Sequence, residues 1–292
     1  MGSIVGAGLL SHAPVIMFPE PMRTLANGGH DFTLATGLAR LKRDVFDVTA
    51  HDVVLVLDSH WTTTTEMVVT AHPTRSGLFT SSEMPTELRQ IPYTLNGDPS
   101  LARAICNEAN QAGLWASAVD DPHLPIQYAT LNLWSILAVA GTPWVSASIC
   151  QTATTEDFLD FGNAIGRAIA QTDRRVMLIA SGGLSHMFHP LRALRAHMSG
   201  DPRNILTAQA RAADAQRIDW LTQGRHDRVV ETMPDFMAFQ PEAGFGHYLM
   251  LAGALGGERC TLRGERFSAY ESGIGTGQIH IWFDPLQAEA IA

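Results

Sequence analysis

Residues 176–186 read VMLIASGGLSH: an apolar run, two glycines, then a serine and a histidine. A run this short and uncharged, closed by glycines, is the pattern of a strand buried on both faces, as in a parallel sheet covered by helices. The same cadence occurs twice more, in GLLSHAP at 8–14 and VVLVLDSHW at 53–61. Three strands therefore end on histidines: His12, His60 and His186. Further β-rich runs lie at 67–71, 115–119, 144–149 and 278–283, beside 4–10, 53–58 and 176–180. Helical patterns alternate with them. Leu34, Leu38, Leu41, Val45 and Val48 recur at steps of three and four, which lays one apolar stripe along a helix. A second helix starts at Asp98-Pro99 and stops near Gly113, and a third follows TTED at 154–157, with Phe158, Phe161, Ile165 and Ile169 on one side. Residues 203–224 and 244–255 complete the set. This alternation predicts an α/β fold, with a central, largely parallel or mixed sheet flanked by helices.

The chain has 292 residues, with no internal repeat and no low-complexity linker, so residues 1–292 read as a single domain. The least regular stretch, 72–97, reads as a long loop of the kind that borders ligand sites. Lys plus Arg number 20 against 29 Asp plus Glu, and no basic block could neutralise a row of phosphates, so nucleic acid is not an expected partner. No apolar run approaches the roughly 18 residues that would span a bilayer. The beginning of the sequence is poor as a signal peptide, because it lacks a basic region and has a histidine at position 12. Cys106, Cys150 and Cys260 are odd in number and never in a CxxC arrangement, which fits a reducing cytoplasm and neither a disulfide framework nor a thiolate zinc site.

In open α/β sheets ligands bind beyond the carboxyl ends of the strands, so three strand-end histidines converge on one crevice. Two neutral imidazoles and one carboxylate hold a divalent ion and leave positions open on it. The candidate carboxylate is Glu242 in FQPEAGFGHYLML, an acid just ahead of an apolar helix; from position alone it serves equally to complement that helix's dipole. Elsewhere the signals are weaker. No GxSxG elbow is present, and SGIGTG at 272–277 has neither the context nor the spacing of a dinucleotide or P-loop motif. His247 lies near Glu242 in sequence, and His280 has no useful ligand spacing.

Taken together, SHAPV at 11–15, DSHW at 58–61, ASGGLSH at 180–186 and the acid of PEAGFGHYLML at 241–251 resemble the class III extradiol ring-cleaving dioxygenases. This is the superfamily of the protocatechuate 4,5-dioxygenase catalytic subunit. GLFTSSEMP, YTLNGDPSLA and GTGQ point toward its homoprotocatechuate 2,3-dioxygenase and 2-aminophenol 1,6-dioxygenase branches. The resemblance implies that His12, His60 and Glu242 ligate a non-haem Fe(II), and that His186 is the acid/base residue. It places a second active-site histidine on His123, or in the nearer branches a tyrosine on Tyr128. His123 is the expected donor on the O2 side, because an imidazole both donates and exchanges protons near neutral pH.

The implied reaction is cleavage of a catechol-type ring by O2 to a semialdehyde. Chelation through both oxygens and a neutral His186 taking the second hydroxyl proton would prepare the diol. The implied partners are a small aromatic diol or aminophenol, O2 and further subunits, as a homo-oligomer or with a second chain type. Two other readings fit the same ligands. A Zn(II) hydrolase uses a His2Glu set with one open position, and a non-catalytic partner subunit would have lost its ligands, which this chain keeps.

Overall fold

The computed structural model describes residues 1–286. Its strands, in chain order, are β1 (Ser3–Leu10), β2 (Val53–Thr63), β3 (Met67–Thr70), β4 (Thr74–Phe79), β5 (Ile91–Asn96) and β6 (Ala116–Val119). They continue with β7 (Trp144–Cys150), β8 (Arg175–Ser181), β9 (Gly264–Arg266), β10 (Glu271–Gly273), β11 (Thr276–Gln278) and β12 (His280–Phe283). The helices are α1 (Glu20–Ala26), α2 (Thr33–Leu41), α3 (Pro99–Gln111), α4 (Tyr128–Leu137) and α5 (Thr155–Ala170). After them come α6 (Ala208–Gln223), α7 (His226–Glu231), α8 (Met233–Phe236) and α9 (Gly246–Ala254).

Eight strands form one mixed sheet in the order β6-β3-β7-β2-β8-β1-β12-β9. Its centre, β7-β2-β8-β1, is parallel, whereas β12 and β9 add antiparallel at one side and β3 meets β7 antiparallel at the other. The expected α/β architecture is what the chain adopts. Along β8 the side chains alternate: Val176, Leu178 and Ala180 enter one apolar cluster, and Met177 and Ile179 enter the other. Both faces are thus dry, which is why the run carries no polar residue until Ser181. Residues from α3, α5 and α9 build the first cluster, and residues from α2 and α4 build the second.

Helices α5 and α9 approach backbone to backbone. A Cβ on Gly162 would sit 2.1 Å from the Met250 carbonyl oxygen, and one on Gly253 2.2 Å from that of Leu159. Each helix therefore carries a glycine where the other's carbonyl comes in.

Three sequence expectations change. The stripe from Leu34 to Val48 is interrupted by a π turn at Lys42–Phe46. The extra residue shifts the face by one, so Phe46 is buried where the step predicts Val45, and Val48 is 71% exposed. Within 72–97, β4 and β5 pair as an antiparallel hairpin instead of an irregular loop. The 278–283 run is cut at Ile279 into the ends of two strands, β11 and β12, and SGIGTG is the turn of the β10–β11 hairpin. Among the described residues, no helix is long and apolar enough to cross a membrane.

Candidate metal centre

The carboxyl ends of β1 and β8 meet the bulge of β2, which runs on past the expected end at 58 to Thr63, at one point. His12, His60 and Glu242 each offer a ligand atom there, and those atoms all lie within 4.8 Å of one another. His12 Nε2 is 3.3 Å and His60 Nε2 3.9 Å from the same oxygen, Glu242 Oε1. His186 Nε2 stands 3.7 Å from the other oxygen, Oε2. The structure thus brings the four expected residues together.

Each is aimed by local chemistry. His12 Nδ1 is paired with Ser181 Oγ at 3.0 Å, the last residue of β8, which leaves Nε2 to face the carboxylate. Ser11, one residue back, donates its amide to His280 Nδ1 at 3.1 Å, while His280 Nε2 lies 2.9 Å from the Leu34 carbonyl. That buried ring is pulled down to a pKa of about 4 by burial, so it stays neutral and accepts. In β2 the register with β7 slips between Asp58 and Thr62. The fully buried Asp58 makes this bulge: Oδ1 accepts the amides of both His60 and Trp61 at 3.0 Å. Its other oxygen accepts the amide and hydroxyl of Thr130 at 2.8 and 2.7 Å, so Asp58 also caps the start of α4 from another element.

Helix α4 in turn grips His12. Tyr128 Oη donates to the His12 carbonyl at 2.9 Å, and Asn132 Nδ2 donates to the same carbonyl at 2.9 Å and to Tyr128 Oη at 3.2 Å. The Tyr128 ring packs against both imidazoles, with centroids 5.5 and 5.2 Å away, and Phe79 of β4 stacks on its outer side. Burial raises the phenol's pKa well above its usual range, so it remains a donor, and its one proton goes to His12. His123 is exposed on the turn before α4, its amide donating to Asp121 Oδ1 at 2.8 Å. Of the two expected O2-side donors, Tyr128 is the one whose ring packs on His12 and His60, and its phenol is already committed.

Glu242 is 5% exposed and well satisfied. Ser59 Oγ donates to Oε1, and the Gly183 amide donates to Oε2 at 2.6 Å. Burial opposes its charge, but His12 and the other nearby imidazoles outweigh burial and hold the carboxyl well below the usual range. For His12, burial likewise opposes the charged form, and the Glu242 carboxylate overcomes it and raises the pKa. For His60, burial and the neighbouring His12 lower it. The exposed carboxylate of Glu83, in the connection after β4, reaches within 3.5 Å of His60 Nδ1. His247, the second residue of α9, is fully buried, and burial takes its pKa down to about 4.

The backbone around Glu242 is unusual. Ala243, Gly244 and Phe245 have φ of 48°, 63° and 62°, a left-handed turn that reverses the chain before α9 begins. A strand-like tie there is the bridge between Ser185 and Pro241, in which the Glu242 amide donates to the Leu184 carbonyl at 3.0 Å and the His186 amide to the Gln240 carbonyl at 3.1 Å. The acid and His186 are thus two ends of one short ladder. Asp58, Ser59, Ser181 and His280 were invisible as site residues in the sequence except through adjacency: Asp58 and Ser59 directly precede His60 in DSHW.

A buried and a partly exposed imidazole and a buried carboxylate around one point, with a third imidazole beside them, make a candidate 2-His-1-carboxylate metal site on an α/β sheet. A family model described as "Catalytic LigB subunit of aromatic ring-opening dioxygenase" matches residues 4–280, and the chain belongs to that family. It is 27% identical over 212 residues to 3,4-dihydroxyphenylacetate 2,3-dioxygenase of Escherichia coli, covering 71% of this chain and 75% of the relative. It is 26% identical over 247 residues to the 2-aminophenol 1,6-dioxygenase beta subunit of a Pseudomonas species, covering 81% and 80%. The crystal structure of an uncharacterized protein from Escherichia coli K12 has the same fold, with a TM-score of 0.63 at 16% identity over 95% of this chain and 99% of that one. Family and relatives together support aromatic ring opening with O2 as the activity.

Proposed function

We propose that this protein is an Fe(II)-dependent extradiol dioxygenase that opens a catechol-type ring to a semialdehyde. His12, His60 and Glu242 would hold the metal. The donor set fits: two neutral-capable nitrogens face one carboxylate oxygen, each supported behind by a hydrogen bond or a charge, and the partly exposed His60 keeps the cluster within reach of solvent. Bound there, Fe(II) would supply adjacent positions for both diol oxygens and O2 and a route for electrons between them, with a net charge of plus one that favours an anionic diolate.

The chain's own residues do the rest. His186, a quarter exposed beside the buried Glu242, is placed to take the second hydroxyl proton of the diol and to return it to oxygen later. Ser59 and the Gly183 amide keep Glu242 charged and fixed in orientation. Tyr128 and Asn132 hold His12 and shield the imidazole pair from the side of α4. The convergence of His12, His60 and Glu242 with His186 alongside carries this reading.

The test is O2 uptake by Fe(II)-loaded protein across a panel of catechols and 2-aminophenols, with a yellow ring-opened product. Activity lost in air and restored by Fe(II) plus a reductant supports it. Full activity with Zn(II) and no O2 uptake overturns it in favour of a hydrolase. Faster turnover of aminophenols would assign the substrate to that branch, and the beta-subunit name of one relative makes a second chain type part of the proposed assembly, alongside copies of this chain.

A further inference from the structure

Asp214 on α6 is completely buried, yet among the described residues no cation pairs with it. Arg217, a guanidinium within electrostatic reach, spends its hydrogen bonds on the Ala213 and Thr232 carbonyls and the Thr232 hydroxyl. A buried carboxylate without an ion pair is costly, and an apolar side chain of similar size would be cheaper. Its partners show what it holds. Oδ1 accepts the Ser185 amide at 3.0 Å; Oδ2 accepts the Ser185 hydroxyl at 2.6 Å and the Tyr270 hydroxyl at 2.5 Å. Room is kept for it, since a Cβ on Gly277 would lie 2.1 Å from Oδ2.

Ser185 is the hub of the ladder described above. On one side it bridges to Pro241, whose neighbour is Glu242, and on the other its carbonyl accepts the Gly277 amide at 2.8 Å. The next residue is His186. We infer that Asp214 is a positioning residue, which clamps Ser185 by accepting both its amide and its hydroxyl and so fixes the relative placement of the metal carboxylate Glu242 and the acid/base His186. It touches neither substrate nor metal. Its carboxylate acts through one serine on two functional side chains that leave the ladder from opposite strands.

The kcat arm of the test rests on the dioxygenase reading; the metal arm does not. Asp214→Asn in the full chain keeps the shape and removes the charge. We expect Co(II), titrated into the metal-free protein, to bind about 10-fold or more weakly, and kcat of the Fe(II) form to fall about 10–100-fold with a smaller change in KM, the range for residues that orient a metal's ligands. The variant is expected to unfold at no lower denaturant concentration than wild type at pH 7. Ser185→Ala, which removes the clamped hydroxyl from the other side, is expected to move the same two quantities in the same direction, and it decides the matter if the Asn variant does not fold. Unchanged Co(II) affinity and kcat in a folded variant overturn the inference. So does a loss fully matched by a lowered unfolding midpoint, since that marks a purely structural residue. Wild-type protein that cleaves no diol would defeat the proposed function, and the Co(II) titrations would still decide the role of Asp214.

Discussion

His12 and His60 meet edge to face, ring centroids 4.6 Å apart, although their strands are not neighbours: β8 runs between β1 and β2. Adjacent strands are spaced by about 4.8 Å, so strands two apart lie about 10 Å from each other. The rings close that distance by leaning over the end of β8, where Ser181 supports His12. The proposed metal ligands therefore sit above the end of β8, and the chain beyond it, Gly182 and Gly183, supplies the amide that fixes Glu242.

Replacing His186 by Ala is expected to leave metal content and anaerobic diol binding intact while turnover falls about 10²–10⁴-fold, the usual contribution of a general acid/base group. Loss of iron in that variant would make His186 a ligand.

His123→Phe is expected to change turnover by no more than about twofold, as for an exposed side chain with no partner. Slowed reaction with O2 at unchanged diol affinity would show that the ring reaches the site after all.

The left-handed turn after Glu242 places Ala243 where an L residue costs roughly 1–2 kcal/mol. Ala243→Gly is expected to raise unfolding free energy by about 0.5–1 kcal/mol in urea, the relief being offset in part by glycine's greater freedom in the unfolded chain.

At the contact of α5 with α9, Gly253→Ala forces a methyl group onto the Leu159 carbonyl and is expected to cost about 2–3 kcal/mol, with Gly162→Ala similar. Wild-type stability for either variant would contradict the close approach.

Burial pushes Asp214 up to about 6, against the hydrogen bonds from Ser185 and Tyr270 and the attraction of Arg217. The folded state thus holds this proton more tightly than the unfolded chain, whose carboxyl titrates near 4. The stabilisation is complete below that value and is lost as pH rises through about 6. Relative to Asp214→Asn, wild type should lose up to about 3 kcal/mol between pH 4 and pH 7, measured by urea unfolding. A constant difference across that range would show that Asp214 titrates normally.

Much of the fold is legible in local pattern. The all-apolar runs of β2 and β8 announce strands covered on both faces, and the Asp98 and Thr154 caps mark where α3 and α5 begin. What escapes are features decided by partners far along the chain. Nothing in KRDVF foretells a π turn, because Phe46 is chosen over Val45 by the space beside Trp282. The β4–β5 hairpin hides in a stretch with exposed, polar outer positions, where only Arg75 and Leu95 among its strand residues are buried. In the site, apolar-run endings find the three histidines, and Glu242 is found as an acid just ahead of an apolar helix, a position that the helix dipole explains equally well, with the family resemblance pointing to the same residue. Asp214 carries no sequence signal. It lies mid-helix 29 residues from the serine that it holds.

The hairpin of β4 and β5 is a sheet of its own, sharing no ladder with the eight strands that carry the histidines. It lays Phe79 over Tyr128 and brings Glu83 to His60, yet its length and outer residues are free of the main framework. Lengthening such a connection is cheap, about 0.6 kcal/mol for each doubling of a loop. The four candidate site residues and the hairpin that packs beside them are two separately editable parts, so the hairpin can be rebuilt while the cluster keeps its geometry.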